Sequence, residues 1–185
     1  MGKYSARNDE GKHVVAEDDP AAIALLKEEH HRFRVLFDAA EEGDEQALPA
    51  IAQELCLRLA VHMTIEEELL YPALEGAVDV GEVREGIVEH AAGKVLMAEI
   101  ENLSGAEPLY KAKVHVLGEE TIHHIDEEDE DLFEDAKAAH AAGKLDLDAL
   151  GEKLRARQAE LYDQVEQEGE IGETHEAIAE EIPQV

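Results

Sequence analysis

The chain has 185 residues, 44% hydrophobic and 34% charged, with a formal net charge of −30, one cysteine and no tryptophan. That length suits one domain with a substantial core, and its Ala, Leu, Glu and Ile content with few β-branched or aromatic runs is that of an all-α helical bundle. So negative a field attracts cations and repels phosphate backbones and anionic membranes, so neither nucleic acid nor membrane is an expected partner.

Cys56 alone allows no intramolecular disulfide and, between Leu55 and Leu57, reads as a small buried residue. No apolar run suggests a signal peptide or a membrane span, and a cytoplasmic protein is expected.

In chain order, residues 1–17 read as a flexible leader, with His13 lacking any ligand partner at helical spacing. Asp18-Asp19-Pro20 predicts a helix start with an N-cap and Pro in the first turn. The first helix runs to about Gly43 and carries Ile23, Leu26, His30, Phe33 and Phe37 on one face. His30 thus lies in an apolar stripe, where an unpaired imidazole is costly; His31 is turned about 100° away toward solvent.

Asp44 to Pro49 opens a second helix whose stripe holds Ile51, Leu55, Leu59, His62, Glu66, Leu69 and Leu70, with Pro72 and Gly76 as its terminators. Glu67 and Glu68 read as a solvated acidic run, with Glu67 a reserve ligand. Asp79 caps a third helix with Val83, Ile87, His90, Met97 and Ile100 on one face; the small residues Ala91, Ala92 and Gly93 suit close helix contact or leave room for a small ligand.

After a break at Ser104-Gly105, Pro108 starts a fourth helix with Tyr110, Val114, Leu117, Thr121, His124 and Glu128 inward. His115 lies almost opposite His124, and His123 is about 100° off its direction. Residues 18–142 therefore form the bundle, 143–168 an accessory C-terminal helix from Asp146 to about Gln167, and 169–185 an acidic tail that frays. The fifth helix, apolar at Leu147, Leu150, Leu154, Leu161 and Val165, either docks on the bundle or mediates association. His140 and His175 have no obvious partner.

The chemistry rests on a repeat. His62 and Glu66 stand four apart, about 40° around a helix and about 6 Å along it, so both reach one point. The spacing recurs 62 residues later as His124 and Glu128, with Leu70 matched by Leu132 and Tyr71 by Phe133. Glu29-His30 is echoed by Glu89-His90 at an offset of 60.

In an up-down-up-down bundle with short loops, residue counts from each turn put all four histidines at roughly 17–24 Å from their loops, on one level. The plainer alternative, scattered surface or core histidines in an acidic helical chain, does not account for the ordered set. Imidazoles mixed with carboxylates suit a borderline metal such as iron, and two carboxylates from different helices can bridge two ions. A structural zinc would take only four closed ligands.

These residues carry a resemblance. The stretches ending in His30 and His90, His62-Met-Thr-Ile-Glu66 through Tyr71-Pro72, and His123-His124 through Phe133 resemble the hemerythrin-like HHE cation-binding family over roughly residues 20–140. The resemblance implies an up-down-up-down four-helix bundle holding two non-haem iron ions bridged by Glu66 and Glu128. It implies His30, His62, His90 and His124 as ligands, and O2 or a related diatomic such as NO as the small molecule bound.

Oxygen-carrying members bear a further histidine where this chain has Lys94, read here as a side chain snorkelling outward. His123, a nearby glutamate or water is then left to fill that place. The expected function is diatomic binding for storage, delivery or sensing. The alternatives are a redox enzyme acting on peroxide or NO with an external electron donor, an iron sensor or donor, and a metal-free bundle.

Overall fold

The computed structural model describes residues 2–4 and 14–168, so His13, His175, most of the leader and the acidic tail lie outside the described residues. The elements are α1 (Ala21–Glu42), α2 (Leu48–Ile65), a π-helical turn π1 (Glu66–Leu70), α3 (Tyr71–Leu74), α4 (Val80–Glu101), α5 (Tyr110–Glu127), a second π turn π2 (Glu128–Leu132), α6 (Phe133–Ala141) and α7 (Leu147–Glu168). α2–π1–α3 and α5–π2–α6 are two continuous rods; with α1 and α4 they make four antiparallel rods, α1 touching α2 and α5, and α4 touching the same two. The all-α bundle with an added C-terminal helix is as expected.

Two apolar clusters stack along the bundle. One gathers Phe33, Phe37, Leu55, Leu59, Met63, Met97, Leu117 and Ile125. The other gathers Ile23, Leu26, Ile65, Leu70, Tyr71, Val83, Leu132 and Phe133. Along every rod the change from one cluster to the other falls close to the histidine, so a thin polar layer is clamped between two dry ones.

The ends and faces of the helices differ from the sequence reading in several places. Asp18 and Asp19 do not cap α1. Pro20 takes the cap position, and the free Ala21 N–H donates to Asp148 of α7 at 3.0 Å; Asp19 turns instead to Lys27, 3.1 Å away. Pro72 does not end the second rod. The π turn before it already draws the Tyr71 N–H back five residues to Glu66 O, and the helix runs on to Leu74, with Gly76 at φ +81° making the stop. Ile87 is exposed, because α4 turns Gly86, His90, Gly93 and Met97 inward instead. A Cβ on Gly86 would lie 2.8 Å from Tyr71 Oη, so the glycine lets the tyrosine reach the bundle axis.

α7 docks in the groove beside α1 and α2, burying the five apolar residues of its stripe. Gly151 makes that approach possible, since a Cβ there would sit 2.6 Å from the Ala21 and Ala22 backbone. His140 gains a partner at this corner, its Nδ1 accepting the Leu147 N–H at 3.2 Å. Of the leader, Tyr4 is buried against Phe37, its N–H donating to Asp38 at 2.7 Å.

Candidate metal centre

The polar layer contains His30, His62, Glu66, His90, His124 and Glu128, all buried. Their potential ligand atoms fall into two groups, each within 4.8 Å: His30, His62, Glu66 and Glu128, and Glu66, His90 and His124. Glu66 is common to both. Its Oε1 lies 3.2 Å from His62 Nε2 and its Oε2 3.4 Å from His90 Nε2, one oxygen toward each imidazole pair. Glu128 Oε2 sits between the pairs, 3.4 Å from His30 Nε2 and 3.6 Å from His124 Nε2.

Both glutamates open a π turn. In an ordinary α-helix the residue five positions on lies about 140° away. The π turn closes that gap by bonding i to i+5, here Glu66 O to Tyr71 N–H and Glu128 O to Phe133 N–H, and such turns recur at functional sites. Each rod therefore aims both its glutamate and an aromatic ring at the layer. Tyr71 lies with its ring 5.5 Å from His90, Phe133 stacks 5.5 Å from His30, and the Tyr71 hydroxyl donates to Glu128 Oε1 at 3.0 Å.

A second set of carboxylates encircles the first residues. Glu29 faces His62 Nδ1 at 3.8 Å, Glu67 holds His90 Nδ1 at 2.9 Å, Glu89 holds His124 Nδ1 at 2.8 Å, and Asp129 holds His30 Nδ1 at 2.9 Å. Each acid faces the imidazole of the next rod, so the four form a ring around the layer; three of them bond Nδ1, whereas Glu29 and His62 Nδ1 make no hydrogen bond with each other. Where Nδ1 is bonded, the imidazole is fixed and Nε2 is left for the centre, the arrangement of metal-ligating histidines. Arg34, fully buried, in turn grips Asp129 at 2.9 Å and Asp126 at 2.7 Å.

The sequence reading left most of this circle out. Of the ring, only Glu67 is read from sequence as a reserve ligand, within a run taken as solvated, and Asp129, Glu89, Glu29 and Arg34 carry no ligand or supporting role there. The signal was present in the doubled pattern Glu-His, then His-x-x-x-Glu followed by an acid. Lys94 does not snorkel outward: its side chain is 9% exposed, because Glu67 takes the ammonium at 2.9 and 2.7 Å. His123 is exposed, 3.3 Å from Glu127, and belongs to neither ligand group of the layer. Glu68 pairs with Arg157, at 2.7 and 3.0 Å.

Electrostatically the layer is unbalanced. Burial raises the Glu66 carboxyl far above its ordinary value, and the Glu128 charge adds to that. Burial works against the Glu128 charge too, but His124 and His30 outweigh it and hold that carboxyl low. Burial, with His30 nearby, pushes His62 well down; His30 resists its own burial because Asp129 and Glu128 raise it to about 9. Burial lifts Tyr71 well above 10, with Glu128 and Glu66 adding, so its hydroxyl stays a donor.

The donor set fits a cation. His30 Nε2, His62 Nε2, both Glu66 oxygens and Glu128 Oε2 are buried and have no hydrogen-bond partner, each at a cost of about 1–3 kcal/mol. His90 Nε2 and His124 Nε2 face each other at 3.0 Å. Cations held in the two ligand groups would satisfy all of these atoms.

An antiparallel helical bundle with imidazoles and carboxylates clamped at its waist is a bundle-core cation-binding protein in form. The chain belongs to the hemerythrin HHE cation binding domain family, whose model matches residues 21–136. Among curated proteins it is similar to a DNA nickase of Nostoc sp. strain PCC 7120, 26% identical over 110 residues, which is 59% of this chain. It spans 31% of that relative's length. No solved structure matches. Among the described residues, no helix is long and apolar enough to cross a membrane.

Proposed function

We propose that the chain holds two iron ions in this layer and binds O2 or a related diatomic such as NO there, for storage, delivery or sensing. The observation that carries the reading is Glu66, whose two oxygens turn toward two separate imidazole pairs. His30, His62, His90 and His124 would hold the ions through their Nε2 atoms, with the carboxylates of Glu66 and Glu128 lying between the two imidazole pairs. Iron in such a site supplies reversible binding of a diatomic or electron transfer to it. The chain's own residues orient the ligands through the carboxylate circle, and the apolar clusters close the layer along the bundle axis on either side.

Tyr71 supports a second reading, a redox enzyme acting on peroxide or NO with an external electron donor. Its hydroxyl, 3.0 Å from Glu128 Oε1 and 3.4 Å from His90 Nε2, is a proton donor at the centre. DNA nicking is not carried over from the curated relative: the likeness covers a minor part of that protein, and a net charge of −30 opposes phosphate contact.

The test is an optical spectrum of anaerobically iron-loaded protein before air, after air, and after oxygen is removed. A charge-transfer band that comes and goes with O2 bears out the binding reading. Prompt irreversible oxidation favours the enzyme, or an iron sensor or donor. No iron uptake defeats both.

A further inference from the structure

One cavity joins the polar layer to the surface. It opens between α4 and the α5–π2 rod with a volume of about 190 Å³. The six waters of a hydrated divalent ion occupy about 180 Å³ in liquid, so the cleft has volume enough for one. The outer wall is acidic: Glu82, Glu85, Glu127 and Asp131 are exposed, and Glu89 is half-buried behind them. The floor is His124 and Glu128, both from the candidate centre.

Two further observations set this cleft apart from ordinary acidic surface. Glu128 Oε2, buried and without a hydrogen-bond partner, belongs to a residue that lines the floor. Two of the lining residues, Glu89 and Glu127, bring potential ligand atoms within 4.8 Å of one another and of the exposed His123 beside the cleft, making a third group outside the bundle core. Among the described residues no Lys or Arg neutralises Glu82, Glu85 or Asp131, whereas Glu54, Glu67, Glu68 and Asp129 each have a basic partner. Like charges left unpaired around a hole focus the field into it.

We propose that this cleft is the route by which hydrated divalent metal reaches the bundle centre, with Glu89, His123 and Glu127 as a transit stop. The carboxylates at the rim draw the ion in, the transit group takes over part of its hydration shell, and Glu128 receives it at the floor. The proposal rests on the metal-binding reading above.

The test mixes the full-length metal-free protein with Co2+ under stopped flow and follows growth of the visible ligand-field band. The variant E82Q/E85Q/D131N removes three rim charges and none of the candidate ligands. As a control, E152Q/D163N/E166Q removes three exposed charges from α7 and changes net charge equally. The expected result is a bimolecular uptake rate at least about 10-fold lower in the rim variant and within about twofold of native in the control, with equal final amplitude. Equal rates in rim variant and native protein, or equal slowing in the control, overturn the route. No Co2+ band in the native protein overturns the metal-binding reading instead. Should the triple variant not fold, Glu85→Gln alone repeats the test, and an unchanged rate there also overturns the route.

Discussion

Lys94 closes on both oxygens of Glu67, and the same carboxylate holds His90 Nδ1. Where oxygen-carrying relatives have an imidazole, this chain has a clamp on the support of another imidazole. Lys94→Met keeps the stem and removes the ammonium. Metal affinity, read by competition with a chelator, is expected to fall about 10-fold, the low end for lost outer supports; unchanged affinity would mean the clamp does not matter. Lys94→His is expected to change the lifetime of any oxygen adduct, read from the decay of its optical band.

Glu66 is the one carboxylate common to both ligand groups. Glu66→Gln keeps its volume and removes the charge that faces both imidazole pairs. On the proposed two-ion site, bound metal is expected to drop from two ions per chain to one or none by elemental analysis, whereas Glu68→Gln, on the Arg157 side, should leave the metal content as in the native protein.

The metal-free protein should lose stability as pH rises. His30 is raised to about 9 when folded, its burial outweighed by Asp129 and Glu128. The folded form therefore binds this proton more tightly than the unfolded chain, so the contribution is full below about 6.5 and is lost as pH climbs through about 9. Glu66, also raised, acts in the same direction; His62, lowered, loses stability only as pH falls. Thermal melts of metal-free protein at pH 7 and 9.5 should differ by roughly 2–3 kcal/mol. Asp129→Asn should flatten that dependence. Metal-loaded protein should show the reverse slope, because its ligands must shed protons to bind.

Gly151→Ala places a methyl 2.6 Å from the α1 backbone, which cannot swing aside as a side chain would. A loss of about 1–3 kcal/mol is expected in denaturant melts, the usual range for forced overpacking. Gly76→Ala meets no neighbour within 4 Å, and any loss there comes from its positive φ alone.

The helical class, the four rods and the six central residues are legible in the sequence because amphipathic periodicity and four-residue spacing both follow from a 3.6-residue turn. What that period hides is what the π turns create. Tyr71 and Phe133 fall off the helical face by ordinary counting, and only five-residue closure swings them in. The ring of Glu29, Glu67, Glu89 and Asp129 is harder to read for another reason: the sequence pattern flags these acids, but each faces an imidazole on a neighbouring rod, a relation set by tertiary contact. The exposed Ile87 shows the same limit, since α4 is rotated by the close approach that Gly86 and Gly93 permit.

Each half of the chain brings a whole imidazole pair, one inward glutamate and one π turn, and borrows from the other half the acid that steadies its first histidine. A helical hairpin of this design would be unsupported alone but complete when two copies met face to face. The molecule thus has the internal logic of a homodimer written into one strand of polypeptide. The two halves are not identical, and the hydroxyl that separates Tyr71 from Phe133 gives one side of the layer a proton donor that the other lacks.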